Sequence, residues 1–296
     1  MLNNIVDYLT DGYWQQQGGA RRTFNVQPDG TLTANITALT QEGQQLATWA
    51  LEAWANVTGI NFQLVSHTDA QITFDDNEPG AFAFHSVSDD GYIVSAHVNV
   101  STEGLYRYGT GIDSYSFQTY LHEIGHALGL GHPGPYNGDF PDFLTETVSF
   151  YESWQTTVMS YIDQSKNIFT PGSYAHVVTP MIADIMAIHT LYGKPSDVNA
   201  GNTTYGYNSN TGSYLDEFFR SWTGEGNPFV NINLVDIRQP AFFHIDNDGD
   251  IDMVTLNRSR DTFYLYENIG TSTVPLFSYT ESIYWGNFAT RGTAGD

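Results

Sequence analysis

The sequence predicts an α+β protein, a twisted mixed β-sheet carrying helices, with a small β-rich segment towards its C-terminal end. Three observations predict it. Strand-like runs crowd between residues 60 and 100, amphipathic helical stretches flank them at 40–57 and from about 114, and an acidic run, DNDGDID, at 246–252 marks a separate element further on.

Taken in order, TQEGQQLATWALEAWANV (40–57) places Leu46, Trp49, Ala50, Ala53, Trp54 and Val57 at helical spacing, a bulky apolar face suited to packing on a sheet. Strands are expected at 60–66, 70–76, 80–86 and 92–100. In the last of these, Tyr92, Val94, Ala96, Val98 and Val100 alternate with Ile93, Ser95, His97 and Asn99, which indicates a sheet with one face buried more fully than the other. A second helix should start at Ser114 or Ser116 as cap, with Phe117, Leu121, Ile124 and Leu128 as its core stripe. That stripe leaves His122 and His126 on a different face, looking into a cleft.

Composition narrows the function. The 296 residues can bury one large core or two smaller ones, and 10 basic against 33 acidic residues give a net charge of −23. Such a balance works against nucleic acid and anionic membranes as partners. No apolar run approaches a membrane span, and the opening MLNNIVDYLTDGYW lacks the basic and apolar regions of a cleavable signal peptide, so neither is expected. With no cysteine, disulfides, thiolate ligands and cysteine nucleophiles are excluded, and any metal must be held by nitrogen and oxygen.

The chemistry lies in LHEIGHALGLGHP (121–133), where His122, His126 and His132 stand four and then six residues apart. Four residues is one helical turn, so His122 and His126 share a face. Six is not a helical spacing, and His132 reaches the same point only if the helix stops and the chain turns back, which Gly129 allows. His67, His85, His97, His176, His189 and His244 read as ordinary surface or core histidines. Three neutral imidazoles leave a zinc ion open to water, as in catalytic sites. Glu123, about 100° round the helix from His122, lies beside the metal rather than on it, where it can take the water's proton and pass it to a leaving amine.

HEIGHALGLGH matches the HExxHxxGxxH signature of the metzincin peptidases, and with Pro133 and GPYNG following, the chain resembles the serralysin branch, secreted bacterial zinc endopeptidases. TVMSY (157–161) resembles that family's Met-turn. The resemblance implies Met159 as the floor beneath the zinc histidines and Tyr161 as a catalytic residue and mobile zinc ligand. It also implies the metzincin fold, in which an edge strand pairs with an extended substrate. GAFAFHS (80–86) is the best match, giving Ala81, Phe82, Ala83 and Phe84 as substrate-binding residues. MIADIMAIHTLYG (181–193) and TTYGYNSNTG (203–212) resemble the helix and exit strand that close the family's catalytic domain, so the likeness runs from about residue 5 to 212. VNAGNT (198–203) replaces the arginine and aspartate of the family's calcium segment by Asn199 and Asn202, and glycine-rich calcium repeats are absent.

Residues 244–270 instead resemble a single FG-GAP or VCBS-type repeat, a β-hairpin with an acidic calcium loop in which Asp246, Asp248, Asp250 and Asp252 alternate about Gly249. The expected organisation is a zinc protease domain at 1–195, a connection at 196–228 and a calcium-loop segment at 229–296. The expected function is a secreted, extracellular zinc endopeptidase, monomeric, acting on proteins or peptides with one catalytic zinc and structural calcium. Type I export is implied by the resemblance. The alternatives are a non-catalytic zinc-binding domain and a calcium-dependent adhesion module.

Overall fold

The computed structural model describes residues 2–138, 141–195, 202, 210–216, 237–243, 252–257, 262–269 and 277–284. The chain divides into two compact units, Met1–Thr203 with Thr211–Tyr214, and Thr204–Asn210 with Leu215–Asp296. The first is α+β. It opens with a helical segment formed by α1 (Leu2–Asp7), a π-turn (Tyr8–Gly12) and α2 (Tyr13–Gln16). The strands β1 (Thr23–Phe24) and β2 (Thr31–Asn35) lead to the long helix α3 (Gln41–Thr58), then β3 (Asn61–Leu64), β4 (Ile72–Asp75), β5 (Ala81–Val87) and β6 (Tyr92–Val100). Helices α4 (Thr102–Tyr108), α5 (Tyr115–Ala127), α6 (Phe143–Glu146) and α7 (Ile182–Tyr192) follow.

The six strands form one mixed sheet. β2 pairs in parallel with β3 and β4, and β6 in parallel with β4 and β1. β5 alone runs antiparallel, along the other side of β6, and so forms an edge. The expected alternation in β6 is only partly kept: Ala96 is buried and His97 half-buried, but Asn99 is as buried as the valines beside it. Val98 and Val100 are buried, but Val94 is 57% exposed and Ile93 only 4%. The reason is a bulge: Ser86 faces Ser95 and the next residue, Val87, faces Ile93, so Val94 is passed over and the facing of everything before it is inverted.

Helix α3 begins where Thr40 accepts the Gly43 N–H and stops at Gly59, at φ +69°. Leu46, Ala50 and Trp54 are fully buried, while Trp49 is half-buried with its ring edge-on to Phe117. The Trp54 indole donates to the Leu121 carbonyl at 3.0 Å, tying α3 to α5 deep in the core. On α5, Phe117, Leu121, Ile124 and Leu128 are all fully buried, as the stripe predicts.

Helix α5 is bounded by two local devices. Ser114 caps its start by accepting the Phe117 N–H at 3.1 Å. At its end Leu130 N–H donates to Gly125 O and Gly129 N–H to His126 O, the two bonds of a Schellman cap, with Gly129 at φ +99°. A Cβ at Gly129 would overlap the carbonyl oxygen of Arg22. The reversed chain is gripped by the N-terminal helices, since Gly131 N–H donates to Leu9 O and the Trp14 indole to Gly129 O, each at 2.7 Å.

The second unit contains a four-stranded antiparallel sheet, β7 (Ile237–Phe243), β8 (Asp252–Asn257), β9 (Thr262–Asn268) and β10 (Phe277–Tyr284), in sequential order. Asp246, Asp248 and Asp250, with His244 and Gly249, lie outside the described residues, as do most of 198–203 and of the exit strand expected at 203–212; Asp252 is the first residue of β8.

Replacing Gly129 by alanine combines a left-handed backbone with a steric overlap on Arg22, so it should cost at least about 1–2 kcal/mol and lower Tm by several degrees. Thermal unfolding checks this; a variant that melts with the parent would show that the reversal is not constrained as described.

Candidate active site

The Schellman reversal brings the three predicted histidines together. Nε2 of His132 lies 3.0 Å from Nε2 of His126 and 3.3 Å from Nε2 of His122. Each Nδ1 faces a backbone carbonyl: His122 that of Val158 at 2.9 Å, His126 that of Leu130 at 2.8 Å, His132 that of Tyr136 at 3.0 Å. A carbonyl can only accept, so each Nδ1 must carry the proton and each Nε2 presents a lone pair. Three lone pairs aimed at one point repel unless a cation lies among them. A tetrahedral zinc site with bonds of about 2.0–2.1 Å has nitrogens roughly 3.3 Å apart, so the separations fit such an ion. Burial pushes the His122 imidazole down to about 4 and those of His126 and His132 well below the usual range, which keeps the donors neutral. Among the described residues these three form the one cluster of His, Asp or Glu whose ligand atoms could hold a metal.

Glu123 follows His122 on α5 and is 6% exposed. Removal from water raises its carboxyl to about 8, and among the described residues its Oε2 has no hydrogen-bond partner. An orphaned carboxylate oxygen at the wall of a cleft makes Glu123 a candidate for contact with a ligand or ion. The cleft measures about 820 Å³ and is lined by His122, Glu123, Val158, Tyr161, Tyr115 and Trp154 among others.

Tyr161 stands beside the cluster, its ring 4.6 Å from that of His132 and 5.8 Å from that of His122. Burial raises its phenol to about 12, partly offset by a hydrogen bond with the Gly138 backbone. Met159 is fully buried, and its sulfur packs against the face of Gly125, in the turn between His122 and His126. Of the predicted substrate strand, Ala81 lines the cleft together with Gly80, whereas Phe82, Ala83 and Phe84 do not. Phe84 is 58% exposed on β5.

Sequence reasoning missed the groups that hold this site from behind. Asp184, fully buried on α7, accepts from Thr157 Oγ1 at 2.5 Å, Val158 N–H at 2.8 Å and Met181 N–H at 2.7 Å, so it locks the 157–160 turn whose Val158 carbonyl orients His122. Burial lifts the Asp184 carboxyl to about 6 and that of Glu152 to about 7, with their hydrogen-bond donors pulling the other way. The available signals were slight: Asp184 is the single charge in MIADIMAI, and Glu152 sits in the aromatic run FYESW.

No family model matches the chain. It is 32% identical over 208 residues to a serralysin of Photorhabdus sp. (strain Az29), covering 65% of this chain and 43% of the relative. Against the metallopeptidase AprA of Pseudomonas marginalis it is 33% identical over 205 residues, 63% of this chain and 43% of the relative. Against the metalloprotease AprA of Pseudomonas entomophila (strain L48) it is 31% identical over 273 residues, 76% and 54%. The chain thus spans about half the length of the curated relatives it matches, and over the aligned part it is a homologue of serralysin and AprA metalloproteases. A solved structure of myroilysin covers 55% of this chain and 93% of its own, at 16% identity and a TM-score of 0.36, too loose a superposition to bear on the site. Among the described residues no helix is long and apolar enough to cross a membrane.

Removing the third anchor is the direct test of the cluster. His132→Ala should lose zinc on dialysis against a chelator that leaves the parent loaded, because two imidazoles hold the ion far less tightly than three. Equal retention, measured by metal analysis, would show that His132 is no ligand.

Proposed function

We propose, with its homology to serralysin and AprA metalloproteases as the premise, that this chain is a secreted zinc-dependent endopeptidase acting on extracellular proteins and peptides. One observation carries the reading: three Nε2 atoms converge beside an unpartnered Glu123 carboxylate in an open cleft.

His122, His126 and His132 would hold the zinc through Nε2. The bound ion would act as a Lewis acid, polarising a peptide carbonyl and acidifying water. Glu123 does the proton work. Its carboxylate accepts the proton of the attacking water and delivers it to the amine nitrogen as the peptide C–N bond breaks, leaving a carboxylate and a free amine. The burial that raises its carboxyl also makes it the stronger base, while a nearby cation favours its ionised form. Tyr161 sits across the His132 ring, from where its phenol can serve as an extra ligand at rest and donate a hydrogen bond to the oxyanion as it develops. An extended substrate would lie along the free edge of β5, beginning at Gly80 and Ala81, with main-chain pairing that tolerates many sequences.

The same reading takes the chain to be a monomer, with its protease part within 1–195 and a calcium-loop segment of FG-GAP type at 229–296. Asp246, Asp248, Asp250 and Asp252 would bind calcium, since a cation relieves their mutual repulsion. Against a non-catalytic zinc protein stand the intact Glu123 and Tyr161. An adhesion module rests on the acidic run alone.

Glu123→Gln should keep its zinc and lose several orders of magnitude in peptide cleavage, because an amide can hold a water but not take its proton. Tyr161→Phe should lower kcat roughly 10–1000-fold with KM nearly unchanged. Near-parental cleavage by the first, or a change confined to KM in the second, contradicts these roles. For calcium, the unfolding midpoint of the zinc-loaded parent should rise across a calcium titration and Asp248→Ala should blunt the rise. A midpoint that ignores calcium removes it from the proposal.

A further inference from the structure

Loop residues 133–138 carry no helix or strand hydrogen bonds, yet they must present the Tyr136 carbonyl to His132 in a fixed direction. What fixes that direction is the Tyr136 side chain. Its ring, 4% exposed, stacks on the His132 imidazole at 5.6 Å between centroids and 24° between planes. Its hydroxyl donates to Glu152 Oε1 at 2.6 Å. Gly134 makes room for this arrangement, since a Cβ there would strike the edge of the Tyr136 ring.

Glu152 is fully buried and has no arginine or lysine beside it among its described contacts. Its other oxygen accepts the Val148 N–H at 3.3 Å, and its main-chain carbonyl accepts from Asn167 Nδ2 at 3.1 Å. Tyr136 Oη also comes within 3.5 Å of Ser160 Oγ, in the segment that carries Met159 and Tyr161. The Trp154 indole donates to the Ser160 carbonyl at 2.7 Å and Trp154 N–H to Ile162 O at 2.9 Å, so that segment is itself pinned. A buried carboxylate with neutral donors alone is a costly group to keep for packing. Its position explains why it is kept.

We propose that Glu152 is a positioning residue for the third metal-binding histidine, acting through the Tyr136 hydroxyl to hold the carbonyl and ring that orient His132. This rests on the zinc reading above and extends it from the ligands to the group that aims one of them. The chain of contacts is Glu152 carboxylate, Tyr136 hydroxyl, Tyr136 carbonyl, His132 Nδ1–H. Cutting it leaves all three ligands in place but lets the 133–138 loop and the His132 ring turn away from the direction the other two imidazoles require.

The test measures metal affinity and ligand geometry rather than cleavage. Zinc dissociation constants would be obtained by competition with a chromophoric chelator for the parent, Tyr136→Phe, Glu152→Gln and the double variant. Visible spectra of the cobalt-substituted proteins would report the geometry at the metal. The parent should bind one equivalent, and each single variant should bind roughly 10–100-fold more weakly with an altered cobalt band. The double variant should be no weaker than the worse single one, because both break the same link. Should Glu152→Gln fail to fold, Tyr136→Phe, which removes one oxygen atom, decides alone. Folded variants that bind zinc within about twofold of the parent, with the parental cobalt spectrum, overturn the inference even if their metal-free forms melt earlier. A parent that binds no zinc sinks the zinc reading itself, and the inference with it.

Discussion

One electrostatic constraint organises the site: three imidazole nitrogens with lone pairs gather at a common centre, the Nε2 of His132 lying 3.0 Å from that of His126 and 3.3 Å from that of His122. Left to themselves the rings would rotate, or protonate and hydrogen-bond to one another. They do neither because each is fastened by the opposite nitrogen to a main-chain carbonyl. That fixes both the tautomer and the plane of each ring. The remaining fold is largely the machinery that delivers three carbonyls to three places.

Each carbonyl comes from a different kind of local structure. Leu130 is supplied by the helix cap itself, so the turn that brings His132 round also orients His126. Val158 lies in a turn clamped by Asp184, whose carboxylate also accepts the Met181 N–H at the start of α7. Tyr136 lies in an irregular loop anchored by Glu152. Two buried carboxylates therefore stand one layer behind the three histidines, and a third, Glu123, lines the cleft with an oxygen that has no partner among the described residues. The first two are satisfied by donors within the protein. The last is not, among the described residues, which is the contrast expected if Glu123 is the group that meets substrate and the other two hold the site.

Much of this was legible in the sequence because it is local. The i, i+4 histidines, the apolar stripe of α5 and the glycine at the reversal obey periodicities and backbone rules that need no knowledge of distant residues, and the structure agrees on all of them. What escaped is non-local or rests on an irregularity. The bulge at Val94 inverts the facing of the first part of β6, and no alternation of residue types announces a skipped residue. The anchors at Glu152 and Asp184 act across 16 and 26 residues of sequence, on Tyr136 and Val158, and a lone acid in an apolar stretch does not say what it reaches. The same non-locality hides the seat of Tyr13, whose ring meets His132 edge-on at 5.1 Å.

The central claim is that His122, His126 and His132 hold one zinc ion through Nε2. Zinc K-edge X-ray absorption on the metal-loaded protein tests it most directly. The account predicts scattering from three imidazole nitrogens at about 2.0–2.1 Å, with oxygen completing the coordination. A spectrum dominated by carboxylate oxygens, or with fewer than three imidazoles, would contradict it.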